Sequence, residues 1–189
     1  MVETNIVGER LTNLRKERKL SPGELSARSG ISEAEIEAIE ASRVSPAIAP
    51  LVKLSRALGV RLGTFLDDLG GAGPVVSRSG AASEVMRAPG QASPNQGALG
   101  FFSLAQGKKD RSMEPFIVEV RPSRGGEAPT SSHEGEEFIY VLEGSVEVRY
   151  GSETIKLGVG DSAYYDSIVP HLVSSAANAR ILAVIYSPF

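Results

Sequence analysis

The 189-residue chain contains two histidines, His133 and His171, and no cysteine. Imidazole is the side chain that changes charge near neutral pH, and it is the commonest protein ligand for transition metals. Without a thiol, disulfides, thiolate metal sites and thiol redox sensing are excluded, so any metal must be held by His, Asp, Glu or similar donors. A second concentration of titratable groups lies in ISEAEIEAIEASR, residues 31 to 43, which carries four glutamates and no basic residue before Arg43. A helix of that composition is poorly matched to a polyanion, which makes its purpose a question.

The elements that must position these residues divide the chain in two. From Ile6 to Leu66 apolar residues recur at helical spacing, as in Leu11 with Leu14, Ile36 with Ile39, and Leu51, Leu54 and Leu58. Starts and stops are legible. Ser21-Pro22 opens one helix as N-cap and first residue, Gly30 ends it, Ser32 caps the next, and Gly59 ends a helix beginning near Ala47. Four or five short helices result. After Leu69 the composition turns to GGAGP, and Gly80 to Gly100 is rich in Ala, Ser, Gly and Pro. From Phe116 the pattern becomes short strands, FIVEVR, FIYVLEGSVEVRY broken at Glu143-Gly144, TIKL, SAYY and RILAVIY, which predicts a small barrel or double-sheet jelly roll.

Charge follows the same division. Residues 6 to 66 hold ten Lys or Arg against seven acids, and the remainder holds ten against sixteen, so a mildly basic part precedes an acidic one. No apolar run reaches membrane-spanning length, and MVETNIVGER lacks the basic-then-apolar order of a signal peptide, so the expectation is a cytoplasmic protein without a membrane segment.

Within the helical part, Pro22 to Ala41 has the requirements of a helix-turn-helix: Leu25 and Ile31 bracket the turn, Ser26 is small, Gly30 takes the turn, and Ile36 and Ile39 anchor the second helix. Residues 8 to 60, GERLTNLRKERKLSPGELSARSGISEAEIEAIEASRVSPAIAPLVKLSRALGV, resemble the phage-repressor-like, xenobiotic-response-element family of bacterial regulators. The resemblance implies a domain at 6–69 with its motif at about 22–41. It points Ser32, Glu33, Ala34, Glu37, Ala38 and Ala41 at bases, and Lys19, Arg43 and Lys53 at phosphates. It also pairs Glu40 with Arg15 and leaves Glu35 in solvent. The usual bidentate readers of guanine and adenine are missing. Glutamate can accept from cytosine N4 and alanine can pack on a thymine methyl, with DNA shape supplying further specificity.

The segments GGEAPTSSHEGEEFIYVLEG and GVGDSAYYDSIVPH resemble the two signature motifs of the cupin barrel, a double-stranded β-helix of jelly-roll type. The resemblance implies a linker at 70–74 and a cupin domain at 75–189, with its motifs at about 125–144 and 158–175. Carried over residue by residue, His133, Glu137 and His171 fill three metal-ligand positions, and Ser131 stands where many cupins have a first histidine. Two imidazoles and a carboxylate with open positions suit non-haem Fe(II), and Zn, Mn or Ni equally. If Glu137 points inward, alternation turns Ile139 and Val141 inward too, and these with Ser131 and Tyr164 form the expected effector pocket.

Three functions fit a multi-domain chain of an α bundle followed by an all-β cupin, the third being a metal-free binding barrel whose histidines are structural. The first is a transcriptional regulator, a homodimer on double-stranded operator DNA whose barrel binds a small organic effector and a divalent metal, with no catalytic residue. The alternative is a non-haem Fe(II) cupin oxygenase or epoxidase, resembling those that act on hydroxypropylphosphonate, with the helical domain used for assembly.

Overall fold

A computed structural model describes residues 6–66, 74–88, 99–108, 111–122 and 130–188. Five helices come first: α1 (Ile6–Glu17), α2 (Pro22–Ser29), α3 (Glu33–Glu40), α4 (Ile48–Leu58) and α5 (Gly63–Leu66). Their ends are set by local chemistry. The Ser21 hydroxyl accepts from the Glu24 amide while the Glu24 carboxylate accepts from the Ser21 amide, a reciprocal capping box in front of Pro22. Gly30, at φ 70°, closes α2, and the Ser32 hydroxyl accepts from the Glu35 amide to open α3. The faces so aligned bury Leu11, Leu25, Ile36, Ile39, Leu51, Leu54 and Phe65 completely. Each such side chain contributes about 2 kcal/mol of burial. Arg15 grips Glu40 with two bonds, Nε to Oε1 at 2.6 Å and Nη2 to Oε2 at 2.7 Å, and gives Nη1 to the Leu20 carbonyl at 2.8 Å. The guanidinium therefore ties α1, the turn after it and α3 together.

Among the described residues nine strands follow: β1 (Glu84–Ala88), β2 (Leu99–Ser103), β3 (Met113–Val120), β4 (Glu136–Glu143), β5 (Ser145–Tyr150), β6 (Glu153–Gly158), β7 (Ser162–Asp166), β8 (His171–Ser174) and β9 (Ala179–Tyr186). They form a six-stranded sheet of order β1-β2-β3-β9-β4-β7 and a three-stranded sheet of order β6-β5-β8. All the pairings are antiparallel. Alternation places Phe116, Val118, Ile139, Val141, Val148, Ile181 and Ile185 in one buried apolar interior.

The structure differs from the sequence-based expectation in three places. β8 is a strand of its own. The barrel's first strand begins at Glu84, because 74–83 has no strand. β1 and β2 flank a segment too rich in Gly, Ala, Ser and Pro to look like strand, and they form by β2 pairing onto β3 and β1 onto β2. Of the expected linker, residues 70–73 lie outside the described residues. No described helix is long and apolar enough to cross a membrane.

The two domains meet at the end of the helical bundle. Arg61 Nη1 donates to Ser112 Oγ at 2.7 Å, and Arg56 of α4 is ion-paired with Glu134. Gly63 lies so close to a buried ion pair at the start of β3 that a Cβ there would stand 2.8 Å from Glu114 Oε1 and 3.0 Å from Arg111 Cζ. Arg111 Nε donates to Glu114 Oε2 at 2.7 Å. Burial, against the pull of Arg111, pushes the Glu114 pKa up.

Candidate functional site

Two stretches of chain bring the barrel's titratable groups together. His133 lies just before β4, Glu137 is the second residue of β4, and His171 opens β8. Gly135, between the first two, sits at φ 110°, and a Cβ on it would be 1.9 Å from the Tyr186 carbonyl oxygen, so only glycine passes beneath β9 there. Ser131 holds His171 by backbone alone, its amide donating to the His171 carbonyl at 2.7 Å and its carbonyl accepting from the His171 amide at 2.9 Å. The Ser167 backbone bonds His133 and Gly135 in the same way, at 3.0 and 2.9 Å.

All three residues are buried, and one donor atom from each lies within 4.8 Å of the others. Glu137 Oε1 is 2.8 Å from His133 Nε2 and 3.3 Å from His171 Nε2. The other nitrogen of each ring faces a carbonyl: His133 Nδ1 to Glu134 O at 3.0 Å, His171 Nδ1 to Val169 O at 2.9 Å. A carbonyl only accepts, so each Nδ1 carries a proton and the Nε2 lone pairs are left to face a carboxylate oxygen. That arrangement needs a positive charge between the rings and the carboxylate, either a proton on Nε2 or a metal ion. The donor set therefore fits a divalent ion, with the backbone carbonyls fixing the correct tautomer. Ser167, bonded on both sides to this segment, adds a fully buried hydroxyl with no hydrogen-bond partner among the described residues.

The electrostatics agree. Burial works against the Glu137 carboxylate, but hydrogen bonds from His133 and His171 outweigh it and hold its pKa well below the usual range. Burial also works against a charged His171, yet Glu137 outweighs that and raises the His171 pKa. Tyr165 donates from its hydroxyl to the other carboxylate oxygen, Glu137 Oε2, at 2.9 Å. Burial and the adjacent carboxylate push its own pKa far up, so it stays a neutral phenol.

Ile139 and Val141 share the inner face with Glu137, 1% and 0% exposed, while Ser131 is half-buried beside the centre. Tyr164 requires a correction: it is 66% exposed on the outer face, where its hydroxyl bonds Glu136. Tyr165 takes the inner place, because it pairs directly across from Glu137. The run Ala163-Tyr164-Tyr165 admits two phases of alternation, and only the register with β4 selects one. The Arg56–Glu134 ion pair and the Arg61–Ser112 bond are not legible in the sequence, since contacts between distant segments leave no periodic trace.

On the helical domain, Ser32, Glu33, Ala34 and Glu37 are exposed along α3, Ala38 is half-buried, and Lys19, Arg43 and Lys53 are exposed around it. The Glu33 carboxylate lies over the first turn of α2, 3.4 Å from where a Cβ on Gly23 would stand, and so meets the positive end of that helix.

Comparison with known proteins accounts for both domains. Residues 11–65 match a helix-turn-helix family model and residues 116–185 a cupin domain model. The chain is 26% identical over 179 residues to the HTH-type transcriptional regulator PuuR of Escherichia coli, covering 93% of this chain and 92% of that one. It is 30% identical over 89 residues to (S)-2-hydroxypropylphosphonic acid epoxidase of Streptomyces wedmorensis, covering 43% and 45%. The crystal structure of a transcriptional regulator of the same helix-turn-helix family from Vibrio cholerae superposes with a TM-score of 0.68 at 22% identity, over 98% of this chain and 97% of that chain.

Proposed function

We infer that this chain, which carries a helix-turn-helix domain followed by a cupin domain, is a DNA-binding transcriptional regulator. The observation that carries the reading is that the sequence likeness to PuuR runs through both domains, while the sequence likeness to the epoxidase covers 43% of the chain. In this reading α3 enters the major groove. Ser32, Glu33, Ala34, Glu37 and Ala38 meet base edges, and Lys19, Arg43 and Lys53 meet phosphates. The protein works in the cytoplasm as a homodimer on a pseudo-palindromic operator, because half-sites related by a two-fold axis call for two reading helices.

The barrel is the sensor. His133, Glu137 and His171 would hold a divalent ion, which when bound offers open coordination positions to an oxygen or nitrogen donor of a small organic effector. Ser131, Ile139, Val141 and Tyr165 would line the space beside it. The physical path to the DNA-reading domain is short: the Glu134 carbonyl orients the His133 ring, and the Glu134 side chain pairs with Arg56 of α4. A ligand that shifts the 133–135 segment thereby biases α4, provided it binds the two arrangements with different affinity.

The test is binding of the purified chain to a short pseudo-palindromic duplex from beside its own gene and to random duplex of equal length. Preference for the first at low salt, falling steeply as salt rises, is expected. Equal binding to both would sink the regulator. The epoxidase likeness keeps a second reading, oxidative chemistry at the same three ligands, and product formation with Fe(II), oxygen and a small phosphonate or alcohol substrate would favour it.

A further inference from the structure

Glu137 has two oxygens, and the structure treats them differently. Oε1 faces both imidazoles, at 2.8 and 3.3 Å from their Nε2 atoms, while Oε2 accepts the hydroxyl of Tyr165 at 2.9 Å. The tyrosine is itself held tightly. It is 8% exposed, pairs across from Glu137 between β7 and β4, and lays its ring 5.2 Å from that of His171 and 5.4 Å from that of Tyr150. Tyr150 in turn donates its hydroxyl to the Asp166 carbonyl at 3.2 Å, next to Tyr165 in the chain. In this buried setting the phenol has one proton to give and gives it to Oε2.

We propose that Tyr165 is the positioning residue of the His133–Glu137–His171 centre, holding Oε2 so that Glu137 serves a metal ion through Oε1 alone. This rests on reading the three residues as a metal centre, and goes beyond it by naming how the carboxylate is kept to one oxygen. Freed of Tyr165, the carboxylate can rotate to chelate through both oxygens or turn away from the rings. Either motion changes the ligand field, and the loss of a group that orients a ligand lowers metal affinity by roughly 10- to 100-fold.

The experiment uses the full chain stripped of metal and titrated with Co(II), whose visible absorption reports ligand number and geometry. Tyr165→Phe removes one hydroxyl, and Tyr164→Phe makes the same change on the outer face. The expected result is a roughly 10- to 100-fold weaker Co(II) affinity and an altered spectrum for Tyr165→Phe, with Tyr164→Phe matching the wild type. Infrared spectra of the unaltered chain on Zn(II) addition give a readout that needs no tyrosine variant. Carboxylate bands assigned by their loss in Glu137→Gln should show the wide splitting of one-oxygen binding. Wild-type affinity and spectrum in Tyr165→Phe, equal losses in both tyrosine variants, or the narrow splitting of a chelate overturns the role of Tyr165 and leaves the metal centre standing. A wild-type chain that takes up no stoichiometric Co(II) overturns the centre and the role of Tyr165 together.

Discussion

The barrel and the reading helix place carboxylates in opposite surroundings. Inside the barrel Glu137 is 8% exposed and every oxygen has a partner, so its charge is balanced by groups held at fixed distances. On α3 Glu33 and Glu37 are exposed, Glu33 over the first turn of α2, where solvent screens a charge and it holds little in place. The same residue type is thus structural and chemical in one domain and free to vary in the other. Apart from Glu40, which Arg15 holds, the acidity of α3 follows from no packing need and matters chiefly when a polyanion approaches.

The contrast can be broken most forcefully from the buried side. Replacing Glu137 with Ala should lower divalent-metal affinity by more than about 100-fold. The unfolding of the helical domain should stay unchanged, checked by equilibrium dialysis beside thermal melts. Next in size is Glu40→Ala, which strips the partner from Arg15 at side-chain exposures of 11% and 12%. The expected cost is about 3 kcal/mol in the helical domain alone, visible as an earlier helical transition with metal uptake retained. A barrel transition moving by a similar amount would mean that the domains unfold as one.

The third prediction concerns the metal-free barrel and pH. Glu137 is held below its ordinary 4.5, so its contribution is complete above that value and is lost only as pH falls through the depressed one. His171 is raised above its ordinary 6.5, so its contribution is complete below 6.5 and is lost as pH rises through the raised value. Stability of the metal-free barrel should therefore peak between 4.5 and 6.5 and decline on the alkaline side. Excess Zn(II) should reverse that decline, since a metal needs the lone pairs that a proton blocks. Melts across pH with chelator and with Zn(II) decide the matter, and a barrel whose melting is flat above 6.5 without metal would exclude a His171–Glu137 ion pair.

The smallest effect is on the exposed side. Glu33→Gln with Glu37→Gln should tighten operator binding at low salt by roughly 3- to 10-fold, an advantage that fades as salt screens the phosphates. Weaker and less selective binding would instead show that, at the base edges, the two glutamates accept hydrogen bonds from cytosine N4.

Much of this arrangement is legible in the residues themselves. Ser21, Gly30, Ser32 and Gly59 mark helix ends because capping is a local interaction. Alternation puts Ile139 and Val141 on the face of Glu137 because the strand has a period of two. What is not legible depends on pairing between distant segments. Tyr165 rather than Tyr164 faces inward because of the register between β7 and β4. Strands β1 and β2 exist because β3 offers them an edge, and Arg56 meets Glu134 only once both domains are folded.

The position of β9 governs how the protein is made. It lies between β3 and β4 in the six-stranded sheet, yet follows both in the chain, with four other strands intervening after β4. The helical domain, whose contacts are local, folds early and quickly, on the microsecond to millisecond scale of such bundles. Until β9 is synthesised, β3 and β4 have bare edges and their apolar faces lack a partner. Barrel closure is accordingly the slow step, and the interval before it is when neighbouring nascent chains can pair edge to edge. Lowering the expression level, which keeps unfinished chains apart during that interval, should therefore raise the soluble yield of the full chain.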